Sequence, residues 1–382
     1  MSHKKEQKSI GLITMNRCIN FGSFLQTFAS YKAIEKLGYH CVLIDYVYPG
    51  KYHRQQTSRP RSFLKKMMDC LRMVKHILDG QEWKIWYREY KYFLFLRDLC
   101  KTRKYTKEQI HRTPPIFDIY LTGSDQTWNP KYLYNDYTFL LDFAPVGALK
   151  YAYGASFGSV TMDEKYYFDY QRYLSQYKKV SVRERSGIPL FKELTGKDAT
   201  FVLDPTLLLT QQEWRNYQGS RSPKVKKPFI LCYFMYYVFN PFPLAEIAFA
   251  EIKKHYGDLP IVTLCWLPDS SFQYQYCFSA GPQDFLQLYD QAAFVITNSF
   301  HGTAFAINFH KNFLAILNPN PSPDDRVLNI LSETNLLSQA IKSKEELEQF
   351  NWNVDFADAE KRLAEMRNTS MNFLGSILHE DE

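Results

Sequence analysis

The chain has 382 residues, 45% hydrophobic and 16% aromatic, with a formal net charge of +7. That is enough apolar material for a sizeable core, and the length points to two domains. No apolar run reaches the roughly 18 residues of a membrane-spanning helix, and the polar residues Met1 to Ser9 lead straight into a predicted strand, so neither a membrane span nor a signal peptide is expected.

In chain order, residues 10–15 predict a strand, 24–37 a helix stopped by Gly38, and 41–46 a second strand. This is a βαβ unit with a right-handed crossover. Its first loop, 16–23, lies at the carboxyl end of a strand, where open α/β sheets bind ligands. Residues 51–107 then hold 16 Lys or Arg against 5 Asp or Glu, an excess of +11 that leaves −4 for the remainder. Apolar positions at helical spacing from Phe63 to Leu78 predict an amphipathic basic helix, and Trp83, Trp86, Tyr87, Tyr90 and Phe93 extend its aromatic character. Such a segment is either surface cover on the core or a contact for an anionic membrane surface or a lipid-linked substrate. Nucleic acid is not expected as a partner, because the aromatics fall at helical spacing and no recognised nucleic-acid motif accompanies them.

Strands predicted at 117–122, 149–155, 180–182 and 201–203 run into Gly123-Ser124-Asp125, Ser156-Phe157-Gly158, Arg183 and Asp204-Pro205. Each polar motif therefore falls just after a strand, on one rim of one sheet. Residues 219–228 form a polar, Pro-bearing linker. A second alternation follows: strand 229–234, helix 244–256, strand 261–266, helix 282–290, strand 293–297, helix 302–309 and strand 313–317. The expected division is a first Rossmann-like domain, 1–218, and a second, 229–350. A last helix, 355–379, carries Leu363, Met366, Phe373, Leu374 and Ile377 near one face and is expected to return to the first domain. The seven Cys are scattered without a C-x-x-C pair, which fits reduced thiols in a cytoplasmic protein and no zinc site.

The most informative stretch is Thr297-Asn298-Ser299-Phe300-His301-Gly302-Thr303, between an apolar strand and an apolar helix. The first N–H groups of a helix have no internal partner, and its dipole favours negative charge there. Gly302 allows close approach to the backbone, Ser299 offers a hydroxyl, and His301 can donate or pass a proton near neutral pH. The expected ligand is a small phosphorylated substrate. A buried histidine satisfied by backbone is the competing reading.

This segment resembles the signature of polysaccharide pyruvyl transferases, loosely T-[DN]-S-[FL]-H-G. Further segments match in the family's order: Asn20-Phe21-Gly22-Ser23-Phe24-Leu25-Gln26, Gly123-Ser124-Asp125-Gln126-Thr127-Trp128, Ala155-Ser156-Phe157-Gly158, Ser181-Val182-Arg183-Glu184 and Leu203-Asp204-Pro205-Thr206. The resemblance spans roughly residues 10–337; Asn298 departs from it, standing where the family often has Asp. It implies two Rossmann-like domains facing a cleft, the glycosyltransferase-B architecture. It also implies transfer of pyruvate from phosphoenolpyruvate onto two hydroxyls of a sugar of a capsule or exopolysaccharide. The acceptor would be free or lipid-linked, and the enzyme cytoplasmic or peripheral on the inner face of the membrane. Phosphoenolpyruvate is then a co-substrate, with no other cofactor and no metal.

That chemistry needs cations for phosphate and carboxylate, an acid for the methylene carbon and a base for the hydroxyls. His301 is the candidate acid and phosphate ligand, with Ser299, Gly302, Arg183 and Arg326 completing the donor site. A surface salt bridge to Glu184 or Asp204 competes for Arg183, and capping by Asp324 or Asp325 competes for Arg326. Asp125 is the candidate base, although an Asx turn would also explain it. Gln126 and the Trp128 indole face suit a sugar, and Asn20 and Gly22 offer a second turn for the acceptor. Two alternatives stand beside this reading: a nucleotide-sugar glycosyltransferase of the same architecture, and a non-enzymatic membrane-associated polysaccharide-assembly protein.

Overall fold

The computed structural model describes residues 8–48, 82–220, 223–236, 238–268, 271–320 and 325–379. The amphipathic helix expected between 63 and 78, and Asp324, lie outside the described residues.

Two six-stranded parallel sheets organise the chain. The first contains β1 (Ser9–Ile13), β2 (His40–Leu43), β3 (Ile119–Thr122), β4 (Leu149–Ala155), β5 (Lys179–Val182) and β6 (Thr200–Phe201), in the order β2-β1-β3-β4-β5-β6. The second contains β7 (Ile230–Tyr233), β8 (Ile261–Thr263), β9 (Tyr274–Tyr276), β10 (Phe294–Thr297), β11 (Phe313–Ile316) and β12 (Ala340–Ile341), in the order β12-β11-β10-β7-β8-β9. β3, β7, β10 and β11 are buried at every position. Strands covered on both faces read as unbroken apolar runs and do not alternate, which is why their sequences are legible.

Each sheet has one place where the strand order reverses. In the first, the chain leaves β1 for β2 on one side and returns to β3 on the other. In the second, β7 leads to β8 and β9 one way while β10, β11 and β12 run the other. Loops leaving neighbouring strands at such a point diverge and open a crevice at their carboxyl ends. The two crevices meet in one cleft of about 1020 Å³, lined by the loops after β1, β3, β7 and β10.

Six helices matter to the cleft: α1 (Phe21–Lys36), α2 (Glu82–Phe95), α3 (Pro282–Gln291), α4 (Phe300–Asn308), α5 (Arg326–Glu333) and α6 (Ala357–Leu378). α1 and α4 begin earlier than their apolar spacing predicts. Asn20 caps α1 by accepting from the N–H groups of Gly22 and Ser23, and Ser299 caps α4 by accepting from Gly302. Capping side chains set a helix start more firmly than the first apolar repeat does. β2 and β8 stop short of their expected ends, and the edge strands β9 and β12 are too short to carry a period.

The halves join through apolar surface. Phe21 of α1 stacks on Phe285 of α3 with centroids 4.7 Å apart, and Lys91 Nζ of α2 lies 2.7 Å from Asp284. One hydrophobic cluster runs from Ile10 and Phe24 through this contact to Val295 and Phe305. α6 touches both halves: Ser370 Oγ accepts from Leu203 N–H at 2.9 Å, while Arg367 donates to Leu207 O at 2.8 Å and Asn308 Oδ1 at 3.0 Å. No helix among the described residues is long and apolar enough to cross a membrane.

Candidate active site

One wall of the cleft grows from the first sheet. β3 ends in Gly123-Ser124, and Asp125 follows with φ 76°, in the left-handed region that few residues other than glycine adopt. Several bonds hold it there. Ser156 N–H donates to its carbonyl at 3.1 Å, Gln126 N–H to its Oδ1 at 2.9 Å, and Ser23 Oγ to its Oδ2 at 2.7 Å. A strained backbone so thoroughly braced points to a placed side chain. Behind it sits Arg183, whose side chain is 1% exposed. Its guanidinium lies 2.7 Å from Asp204, 3.1 Å from Glu184 and 3.4 Å from Asp125. Three carboxylates thus share one cation. Burial pushes the Asp125 carboxyl up, but Arg183, His301 and the Ser23 hydroxyl outweigh it and hold it below the usual carboxylate range. Burial also opposes ionisation of Asp204, but His301, Arg183 and the Thr206 N–H hold that group far below the range.

The other wall grows from the second sheet. Thr297 Oγ1 donates to Tyr233 O at 2.6 Å and accepts from Ser299 N–H at 3.0 Å, which fixes the turn from β10 into α4. Asn298 uses both ends of its amide: Oδ1 accepts from Met235 N–H at 2.6 Å, and Nδ2 donates to Phe239 O at 3.4 Å. A carboxylate could only accept. The residue that departs from the family signature therefore ties the β7 loop to the β10 loop. In α4, the N–H groups of Phe300 and His301 have no intrahelical acceptor and lie at the positive end of the dipole. Asp325 caps α5 through the N–H groups of Val327 and Leu328, and Arg326 turns to the cleft with its guanidinium 5.9 Å from the Phe300 ring centroid.

His301 stands where the walls meet. Its Nε2 is 3.8 Å from Asp204 Oδ2, beyond hydrogen-bond reach, and has no hydrogen-bond partner although buried. The ring rests on α1 at Gly22, where a Cβ would stand 2.0 Å from Nδ1. Only glycine admits the imidazole there, so residue 22 of the first half seats a side chain of the second.

Asn20, Asp125, Gln126, Ser299, His301 and Arg326 all line the cleft. Four expectations need correction. Trp128 is fully buried among Phe157, Tyr177 and Phe191 and offers no face to a sugar; its backbone N–H bonds to Ser156 O, which ties the residue into the core of the first half. Arg183 stands behind Asp125, enclosed by carboxylates, so it acts on the cleft through that residue. Gly22 makes room for His301 and not for a ligand. Gly302 likewise makes room for Thr297, whose Oγ1 would lie 2.2 Å from an added Cβ.

Ser23 and Arg17 are not among the residues expected from the sequence, and Asp204 is expected only as a partner for Arg183. Arg17 Nη2 donates to Asp45 Oδ2 at 2.7 Å, and its guanidinium lies 5.6 Å from the Phe93 ring centroid, both groups on the cleft lining. Its position in the loop after β1 was the available signal. Among the described residues no group of three or more His, Cys, Asp or Glu could hold a metal ion.

The model of the family described as polysaccharide pyruvyl transferase matches residues 20–320. No curated protein matches the sequence. Among solved structures, the fold is similar to UDP-GlcNAc 2-epimerase from Methanocaldococcus jannaschii, with TM-score 0.52 and 13% identity over 94% of this chain and 99% of that one. It is also similar to a Listeria monocytogenes protein assigned as a UDP-N-acetylglucosamine 2-epimerase, with TM-score 0.53 and 10% identity over 98% of each. The architecture is the glycosyltransferase-B type, two Rossmann-like domains facing a cleft.

Proposed function

This chain belongs to the polysaccharide pyruvyl transferase family, and on that premise we propose that it transfers pyruvate from phosphoenolpyruvate to two hydroxyls of one sugar of a surface polysaccharide or its lipid-linked precursor. Two C–O bonds form at the enol carbon and its bond to the phosphate oxygen breaks. Of the two hydroxyl protons, one is balanced by the proton that converts methylene to methyl, and the other leaves with phosphate. Nothing is oxidised or reduced, so the balanced reaction calls for no redox cofactor.

The observation that carries this reading is the opposition of charge across one cleft. The α4 N-terminus and Arg326 suit the anionic donor, with Ser299 available as a further hydroxyl. Asp125 lies on the other wall, ionised and aligned by Ser23 and Arg183. There it accepts a proton from a sugar hydroxyl and faces the positive charge that develops at the enol carbon as the methylene is protonated. His301 lies between the walls, with a buried Nε2 that lacks a partner, and is assigned proton delivery and phosphate contact. Asn20 and Gln126 line the acceptor side.

Thermal shift tests the donor. Phosphoenolpyruvate at about 100 times its dissociation constant stabilises the chain by about 2.7 kcal/mol. Stabilisation by nucleotide sugars with none by phosphoenolpyruvate rejects the pyruvyl reading.

A further inference from the structure

We propose that the aromatic face of α2 is a subsite for an oligosaccharide, which it guides into the cleft; the inference rests on transfer to a sugar as proposed above. The helix has two unlike faces. Tyr92 is fully buried against Phe21 and Phe24, whereas Trp83, Trp86, Tyr90 and Phe93 are 58%, 66%, 47% and 43% exposed. The spacings of three and four residues between these exposed rings place them on one stripe of the helix. From Trp86 to Phe93 is two turns, roughly 10.5 Å at about 1.5 Å per residue, a span that suits a short chain of sugars better than one ring.

The stripe runs into the cleft. Phe93 and Glu89, on the same helix, are part of the cleft lining, and Arg17 lies over Phe93 with 5.6 Å to the ring centroid. Phe93 is itself braced edge-on by Phe24, with centroids 6.0 Å apart. Farther out, the Trp86 and Tyr90 rings stack on each other, with centroids 5.8 Å apart and planes within 4° of parallel, and each keeps a large exposed surface. Flat aromatic faces are electron-rich and attract the C–H face of a pyranose while leaving its hydroxyls in water. The role expected of Trp128, which the fold buries, thus has a candidate outside the first motif set.

Charge favours a sugar over an anionic bilayer as the occupant. α2 carries three basic residues, Lys84, Arg88 and Lys91. Lys91 is paired with Asp284 at 2.7 Å, and Arg88 packs over Phe21 and Tyr92 at 5.6 Å from each centroid. Two of the three are therefore turned to the protein, and Arg17, the cation over Phe93, is paired with Asp45 at 2.7 Å. Anionic lipid would be drawn by cations standing beside the rings.

The test is affinity electrophoresis of the full chain through native gels cast with a panel of neutral and acidic galactose-, glucose- and mannose-containing polysaccharides. Wild type is retarded by at least one of them. Trp86→Ala and Tyr90→Ala, at exposed positions that leave the core intact, each weaken that binding roughly tenfold, the equivalent of about 1.4 kcal/mol. Both keep the wild-type thermal shift with phosphoenolpyruvate. Retardation unchanged in the variants, or no retardation of wild type by any polysaccharide, overturns the proposal while leaving donor binding as it stands. Two other results overturn it in favour of another occupant. One is loss in the variants of flotation on phosphatidylglycerol liposomes, with no polysaccharide effect. The other is a dimer in sedimentation that Trp86→Ala converts to monomer. A failed phosphoenolpyruvate shift with polysaccharide binding intact removes the transfer reading but keeps the subsite.

Discussion

On the first-sheet wall of the cleft, Asp125, Glu184 and Asp204 gather around one buried guanidinium, and every partner is supplied by the protein. On the second-sheet wall, the α4 N-terminus and Arg326 face the same space, and Arg326 makes no ion pair with a described residue. The first wall keeps its shape from within, because its three carboxylates are held by Arg183 and by the protein's own N–H and O–H donors, and it retains an excess of negative charge. The second has positive character that an incoming anion completes. On the proposed reading the second wall holds the donor and the first aligns the base, and His301, seated on Gly22 and near Asp204, stands between them.

The contrast can be broken most severely at that meeting point. His301→Ala lowers turnover by roughly 10²–10⁴-fold, the usual range for a positioned acid or base, while the denaturation midpoint stays near wild type. Steady-state assay of pyruvate transfer checks it, and near-normal turnover would reduce His301 to a packing residue. Next in size is Arg183→Met, which leaves three carboxylates without their cation. It costs about 3–5 kcal/mol, as expected when one partner of a buried charge cluster is removed. Urea denaturation measures it, and an unchanged midpoint would mean that the cluster does not depend on the guanidinium.

Gly22→Ala tests the seat itself. The added methyl meets His301 Nδ1, so either the ring or the domain contact shifts, at about 1–3 kcal/mol. Its turnover falls more than its stability explains, and equal losses in both would make Gly22 a fold residue only. The smallest effect is in pH. Asp125 and Asp204 ionise more readily folded than their usual value of 3.8. The unfolded chain therefore binds more protons in acid. Their contribution is complete above about pH 4 and is lost as pH falls through the lower folded values. Asp204→Asn flattens that acid limb in a series of urea midpoints, and an unaltered limb assigns acid sensitivity to other groups.

The strand ends were legible because their apolar runs stop abruptly at Gly, Ser, Asp or Arg, and in a parallel sheet those stops fall on one rim. Asp125, Ser299 and His301 stood out as polar residues at such stops. Direction did not. Asp125 turns the chain at φ 76°, and Trp128, three residues on, is fully buried in the core. The sequence offers Glu184 and Asp204 as partners for Arg183, but as a surface pair; that the guanidinium is buried and also faces Asp125, 58 residues away, follows only from the fold. The aromatic period of α2 was visible, but which rings would remain uncovered depends on Phe21, Phe24 and Asp284, all outside that helix.

The division of labour between the walls has one direct measurement: calorimetric titration of phosphoenolpyruvate into wild type, Arg326→Gln and Asp125→Asn. If the second wall holds the donor, Arg326→Gln weakens binding at least roughly tenfold, the equivalent of about 1.4 kcal/mol, whereas Asp125→Asn binds as wild type does and fails only in transfer. Wild-type affinity in Arg326→Gln together with lost affinity in Asp125→Asn would place the donor on the first wall and contradict the assignment.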